Sequence, residues 1–125
     1  MIDLDANFLV AALREDRRAT TLIQRWLTRN ESLSMSAVAW SEMLCGPLTP
    51  EEMEQAGVIV GQIEPFNAED AALAADLFNA TGRRSRSHAD CMIAASAIRR
   101  GAALVTLDRI GFARFRRFHL RLQPL

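Results

Sequence analysis

At 125 residues the chain is long enough to bury one sizeable core and too short for two ordinary domains, so residues 1–125 are expected to form a single domain. Half of the residues are hydrophobic, which excludes a disordered chain, and no apolar run approaches the length of a membrane span. The formal net charge is zero but unevenly spread: residues 1–82 carry five Arg and thirteen acids, residues 83–125 ten Arg and two acids, and Lys is absent.

The elements alternate between strand and helix. IDLD at residues 2–5 reads as a short strand running into a helix over about 6–14, and a polar break at Arg14–Arg18 precedes a second helix over about 19–29. In that helix Leu22, Ile23, Trp26 and Leu27 recur at helical spacing, and Asn30 is placed to end it. Leu33 and Met35 alternate with serines as a second strand, and Ala37 to Cys45 is helical until Gly46-Pro47 stops it. Thr49-Pro50 followed by Glu51 and Glu52 starts a helix over about 50–61. Ile63 to Phe66 is a brief strand whose Pro65 suits a sheet edge, and Asn67 caps a helix to about Ala80. Arg83 to Ser87 is a basic loop, His88 to Arg100 a helix ended by Gly101, and Ala102 to Thr106 a buried strand. A short helix and a last strand over His119 to Leu122 complete the chain, which predicts an α/β domain with a mainly parallel sheet.

Four acids lie within or beside apolar runs: Asp5 in MIDLDANFLVAAL, Glu42 in SAVAWSEMLCG, Asp90 in HADCMIAASAI and Asp108 after AALVT. Carboxylates among buried neighbours are costly unless a cation compensates them. In open α/β sheets, sites form outside the carboxyl ends of the strands, and Asp5 and Asp108 fall at or just past such ends. Asp90 is in the first turn of its helix, and Glu42 sits on a helix fed by the second strand. Together they suggest carboxylates holding a divalent metal, and hence phosphoryl chemistry with a metal-activated water.

Each acid also has a plainer reading. Asp5 suits a helix N-cap, and Asp3 nearby shows that acids occur here without a special role; Asp5 is favoured because it lies closer to the carboxyl end. Glu42 has Val38, Ala39, Cys45 and Gly46 as helical neighbours, with no basic partner, and is expected on an inward face. Ser87-x-x-Asp90 has the form of a capping box, and Asp108 that of a turn residue. Cys45 and Cys91 lack zinc spacing and are expected as small buried residues on helices. The arginines suit phosphate because their planar fork stays charged, and the basic last third points to an anionic partner such as nucleic acid. Arg83, Arg84 and Arg86 are candidates for gripping the phosphates of such a partner; the alternative is a solvated loop. Acids at Asp3 and Asp5, where a signal peptide would be positive, lead us to expect a cytoplasmic protein.

LDANFLVAAL, the Glu of SAVAWSEMLCG, DCMIAASAIRRGAALVT and the Asp-x3-Phe of TLDRIGF resemble PIN-domain ribonucleases over about residues 2–122. The short length is similar to VapC-type toxins of toxin–antitoxin pairs. The resemblance implies a parallel five-stranded sheet flanked by helices, cleavage of RNA with Mg²⁺ or Mn²⁺, a homodimer, and an antitoxin partner that blocks the cleft. It carries the family's acids onto Asp5, Glu42 and Asp90, its fourth position onto Asp108, and supporting polar residues onto Asn7 and Thr106. Two positions depart from the family pattern: Ala6 stands where Thr or Ser usually follows the first Asp, and Gly111 where many relatives carry a further Asp.

Three rivals are weighed against this reading. A phosphatase of the haloacid dehalogenase type would share Asp3-Leu-Asp5, but it requires a Thr where Asn7 stands and a Lys the chain lacks. A P-loop hydrolase fails for the same missing Lys. A binding module that grips RNA or a protein without cutting remains the alternative, although an acidic cleft does nothing for a pure binder of polyanions.

Overall fold

The computed structural model describes residues 1–125. Five parallel strands form one sheet in the order β3-β2-β1-β4-β5, with β1 at Ile2–Leu4, β2 at Leu33–Ser36, β3 at Gln62–Glu64, β4 at Ala103–Val105 and β5 at Arg121–Leu122. The helices are α1 (Ala6–Leu13), α2 (Arg17–Thr28), α3 (Ala37–Leu44), α4 (Pro50–Ile59), α5 (Ala68–Ala80), α6 (His88–Arg100) and α7 (Arg109–Ala113). This is the expected α/β architecture. The two central strands, β1 and β4, lie side by side, so the residues that follow them emerge together at the carboxyl edge.

Local chemistry sets the boundaries. Thr49 and Glu52 close a reciprocal capping box at the start of α4, and Asn67 and Asp70 close another at α5. Gly101 takes a left-handed φ of 67° and ends α6, the conformation glycine adopts without steric cost. Asn30 does the same after α2, with φ 57°. The break after α1 is narrower than the sequence suggests, because Asp16 accepts the Ala19 N–H at 2.9 Å and starts α2 at Arg17. β3 lies at the sheet edge, consistent with Pro65 just beyond it.

The core gathers Ile2, Leu4, Phe8, Leu9, Met35, Leu104, Val105, Phe112 and Phe115 around the sheet. Along α6, Cys91 and Ile93–Ala97 are all buried, and its small residues let the helix pack closely against α5. Trp26 is buried and its ring lies 5.8 Å from Phe8, so it serves the core. Cys91 is buried as expected, whereas Cys45 is exposed, because it sits at the exposed end of α3.

Two ion pairs anchor the elements. Arg100, at the end of α6, pairs with Asp3 in β1, and Ser34 Oγ donates to Asp3 Oδ1 at 2.6 Å. Arg99 pairs with buried Asp70 of α5. Burial alone would raise the Asp70 pKa, but the hydrogen bonds from Arg99 and the Asn67 N–H, together with the charges of Arg99 and Arg100, outweigh it and hold this carboxyl below the usual carboxylate range.

Candidate active site at the carboxyl edge of the sheet

Asp5 leaves β1 and caps α1, accepting the Ala6 N–H at 2.9 Å. Its other oxygen accepts from the Thr106 hydroxyl at 2.7 Å, at the end of β4. Thr106 in turn accepts the Asp108 N–H at 3.0 Å, and Asn7 Oδ1 accepts the Leu107 N–H at 3.1 Å. Asn7 Nδ2 lies 3.4 Å from the Thr106 hydroxyl, so Asn7 and Thr106 together tie the end of β4 to the start of α1. The N-cap reading of Asp5 therefore describes its geometry.

Asp90 is half-buried in the first turn of α6. The capping-box reading fails here: Ser87 makes no side-chain cap bond and donates instead to the Arg84 carbonyl at 2.7 Å. Asp90 Oδ2 lies 3.6 Å from Arg114 Nη2, an ion pair that sequence reasoning missed. Asp108 is exposed and caps α7, accepting the Gly111 N–H at 3.0 Å. A side chain at Gly111 would run into the Asp108 carboxylate. The family's extra Asp at that position and this pose of Asp108 therefore exclude one another.

Glu42 is exposed, against the expectation of an inward face. The small residues around it include Cys45 and Gly46, which are themselves exposed, so low polarity did not mean burial. It lines a cavity of about 540 Å³ with Asn7 and Arg14. Of the four acids only Asp5 is buried; Asp90 is intermediate, and Glu42 and Asp108 face solvent.

Three of them are nevertheless raised above their ordinary values. Desolvation raises the Asp5 pKa, the Thr106 and Ala6 bonds oppose it, and the charges of Asp90 and Asp108 raise it further. Glu42 is raised first by desolvation and then by Asp5 and Asp90. Asp90 is raised by desolvation and by Asp108, with Arg114 pulling the other way. Like charges held this close favour either a proton or a cation.

No set of three His, Cys, Asp or Glu side chains closes into a cage for a metal ion. Two of the acids already have partners within the chain: Asp108 caps α7 through the Gly111 N–H, and Asp90 pairs with Arg114. The donor set instead fits a hard cation that keeps much of its water, as Mg²⁺ does when one or two carboxylates hold it. Asp5, Glu42, Asp90 and Asp108 are the residues that would hold such a cation.

Arg83, Arg84 and Arg86 are exposed on the segment leading into α6. His88 is exposed and meets the Phe78 ring edge-on at 5.7 Å, a packing role. The largest cavity, about 1030 Å³, lies away from the acids, between α2 and α4. None of the four acids lines it, so the acid cluster, and not this hollow, marks the candidate site.

A parallel α/β sheet with a carboxylate cluster at its carboxyl edge is the class that fold and site define. The family model of the PIN domain matches residues 2–117, and the chain belongs to the PIN domain family. Among solved structures it is similar to a chain of VapBC2 from Rickettsia felis bound to a DNA fragment from its promoter, with TM-score 0.77, 19% identity and 98% of each chain covered. It is also similar to a chain of FitAcB from Neisseria gonorrhoeae, with TM-score 0.73 and 21% identity over 99% of this chain and 97% of that one. A chain of VapBC-1 from nontypeable Haemophilus influenzae matches with TM-score 0.75 and 20% identity over 98% and 97% of the two chains. Comparison with curated proteins finds no significant match. No helix is long and apolar enough to cross a membrane.

Proposed function

We propose that this chain is a metal-dependent endoribonuclease of the VapC type, the toxin of a toxin–antitoxin pair. The observation that carries the reading is the gathering of acids at the carboxyl edge of the sheet, where Asp5 is buried on hydrogen bonds from Thr106 and Ala6 and the carboxyls of Asp5, Glu42 and Asp90 are all raised, by desolvation first and by neighbouring acids second. Family membership supports a nuclease, and the likeness to toxin–antitoxin structures supports a cognate antitoxin as partner. Asp5, Glu42, Asp90 and Asp108 act as the catalytic acids, which bind Mg²⁺ or Mn²⁺ directly or through water. When bound, the cation supplies an activated water and neutralises charge on the phosphate. Thr106 and Asn7 fix the orientation of Asp5 and the β4 end. Arg83, Arg84 and Arg86 draw in RNA phosphates. The protein works in the cytoplasm as a homodimer.

The rival reading is a PIN-fold module that binds RNA or a protein without cutting. One observation favours it: Arg114 already supplies a positive charge to Asp90. The deciding experiment is cleavage of structured cellular RNA by antitoxin-free protein in Mg²⁺ or Mn²⁺ against EDTA, with Asp90→Asn alongside. Cutting that needs metal and disappears in Asp90→Asn is the expected result. Cutting by Asp90→Asn at the wild-type rate overturns the site, and no cutting of any RNA favours the binding module.

A further inference from the structure

A second feature lies beside the acids. A groove of about 720 Å³ runs between the end of α5 and α7, lined by Ala80, Thr81, Arg84, Ile110, Arg114 and Arg116, together with Arg117. Four of its lining residues are Arg and none is acidic. Arg114 joins it to the site, since its Nη2 lies 3.6 Å from Asp90 Oδ2 while its Nε is buried without a hydrogen-bond partner.

Two of these arginines are held in place before any ligand arrives. The Arg114 guanidinium stacks over Phe115 at 4.6 Å, and Arg117 over Phe118 at 4.6 Å. Arg117 also donates to the Ala80 carbonyl at 2.8 Å. A pre-set guanidinium loses less freedom on binding an anion than a free one. Ile110, which also lines the groove, is 92% exposed, apolar surface beside the charge. Arg84, Arg116 and Arg117 have no acid among the groove's lining residues, a charge that calls for an anion, and the apolar side chain beside them suits the sugars and bases of an unpaired strand.

We propose that this groove is the track that holds the backbone phosphates of single-stranded RNA next to the cleavage point, with Arg84, Arg116 and Arg117 as phosphate contacts and Arg114 as the link to the acids. The inference rests on the nuclease reading, but it concerns binding and can be tested without cleavage. It also separates Arg84, which faces the groove, from Arg83 and Arg86 of the same segment, which do not line it.

The test is fluorescence anisotropy with a labelled mixed-sequence single-stranded oligoribonucleotide, in the Asp5→Asn background across a range of salt. Arg84→Gln, Arg116→Gln and Arg117→Gln are combined, and a second variant omits the Arg117 change because that residue also bonds the α5 end. A control loses the same charge from α2 through Arg18→Gln, Arg25→Gln and Arg29→Gln. The groove triple should bind at least about tenfold more weakly and its salt slope should fall by about 2, from roughly 0.7 per phosphate contact. The double should fall between triple and parent, and the α2 control should stay near the parent. Binding by the folded groove variants within twofold of the parent, or an equal loss in the control, overturns the proposal. Loss of binding confined to the groove variants upholds it even for a parent protein that cuts no RNA, an outcome that would sink the nuclease reading alone.

Discussion

Asp3 and Asp5 stand two positions apart at the start of the chain and are both buried, 1% and 6% exposed, yet the fold treats them oppositely. Asp3 receives Arg100, Ser34 and, through the same guanidinium, a link to Glu64 at 4.0 Å. Asp5 receives a hydroxyl and one N–H, and its charged neighbours are other acids. The chain brings its own cation to the first and leaves the second without one. Helix α6 explains how: its last turn brings Arg100 to β1, while its first turn brings Asp90 to the opposite edge. A buried acid with an internal counter-ion is architecture, and one without it is where the proposed cation would be held.

Breaking the first half of this comparison should have the largest effect. Arg100→Met leaves Asp3 buried and unpaired, a situation that costs about 3–5 kcal/mol in other proteins. Urea denaturation should show that loss, and adding Asp3→Asn should recover most of it. A single variant as stable as wild type would mean that Asp3 is satisfied without its arginine.

The second half can be sharpened at Thr106. Thr106→Val keeps the shape and removes the hydroxyl that donates to Asp5 and accepts from Asp108. Outer partners of metal ligands typically contribute 10–100-fold in affinity or activity. We expect Mn²⁺ binding, measured by calorimetry, to weaken by about tenfold while the fold is kept. Unchanged Mn²⁺ affinity would reduce Thr106 to a structural strand end.

How much of this contrast was legible in the sequence follows from the distances involved. Capping boxes and the Gly101 stop are local, so helix boundaries could be read within a few residues. The carboxyl-edge position of Asp5 and Asp108 follows from strand order in any parallel α/β sheet. The partner of Asp3 is 97 residues away, and no periodicity announces it. Arg114 was hidden for a similar reason: in the sequence it is one of ten arginines in a basic tail, and only the packing of α7 brings it to Asp90. Glu42 was misread because small neighbours on a helix suggest burial only where another element covers them, and the end of α3 is open.

The smallest effect concerns pH, where the two kinds of acid run in opposite directions. The folded pKa of Asp5 lies above the ordinary value of 3.8, and Glu42 and Asp90 are raised as well. As pH climbs from the ordinary carboxylate range toward these raised values, the unfolded chain gives up protons that the folded protein still holds. Stability therefore falls with rising pH in that window, and the loss is complete once the folded groups have ionised. Asp70 acts on the other side: its folded pKa is lowered, so its contribution is present above 3.8 and is lost as the medium becomes more acidic. For metal-free protein the melting temperature should drop by roughly a few degrees between about pH 4 and about pH 7. Asp5→Asn should flatten part of that drop, and so should added Mg²⁺ or Mn²⁺, because either one relieves the same repulsion. A metal-free melting temperature that climbed across this range, with no response to Asp5→Asn, would show that the cluster carries too little unrelieved charge to call for a cation.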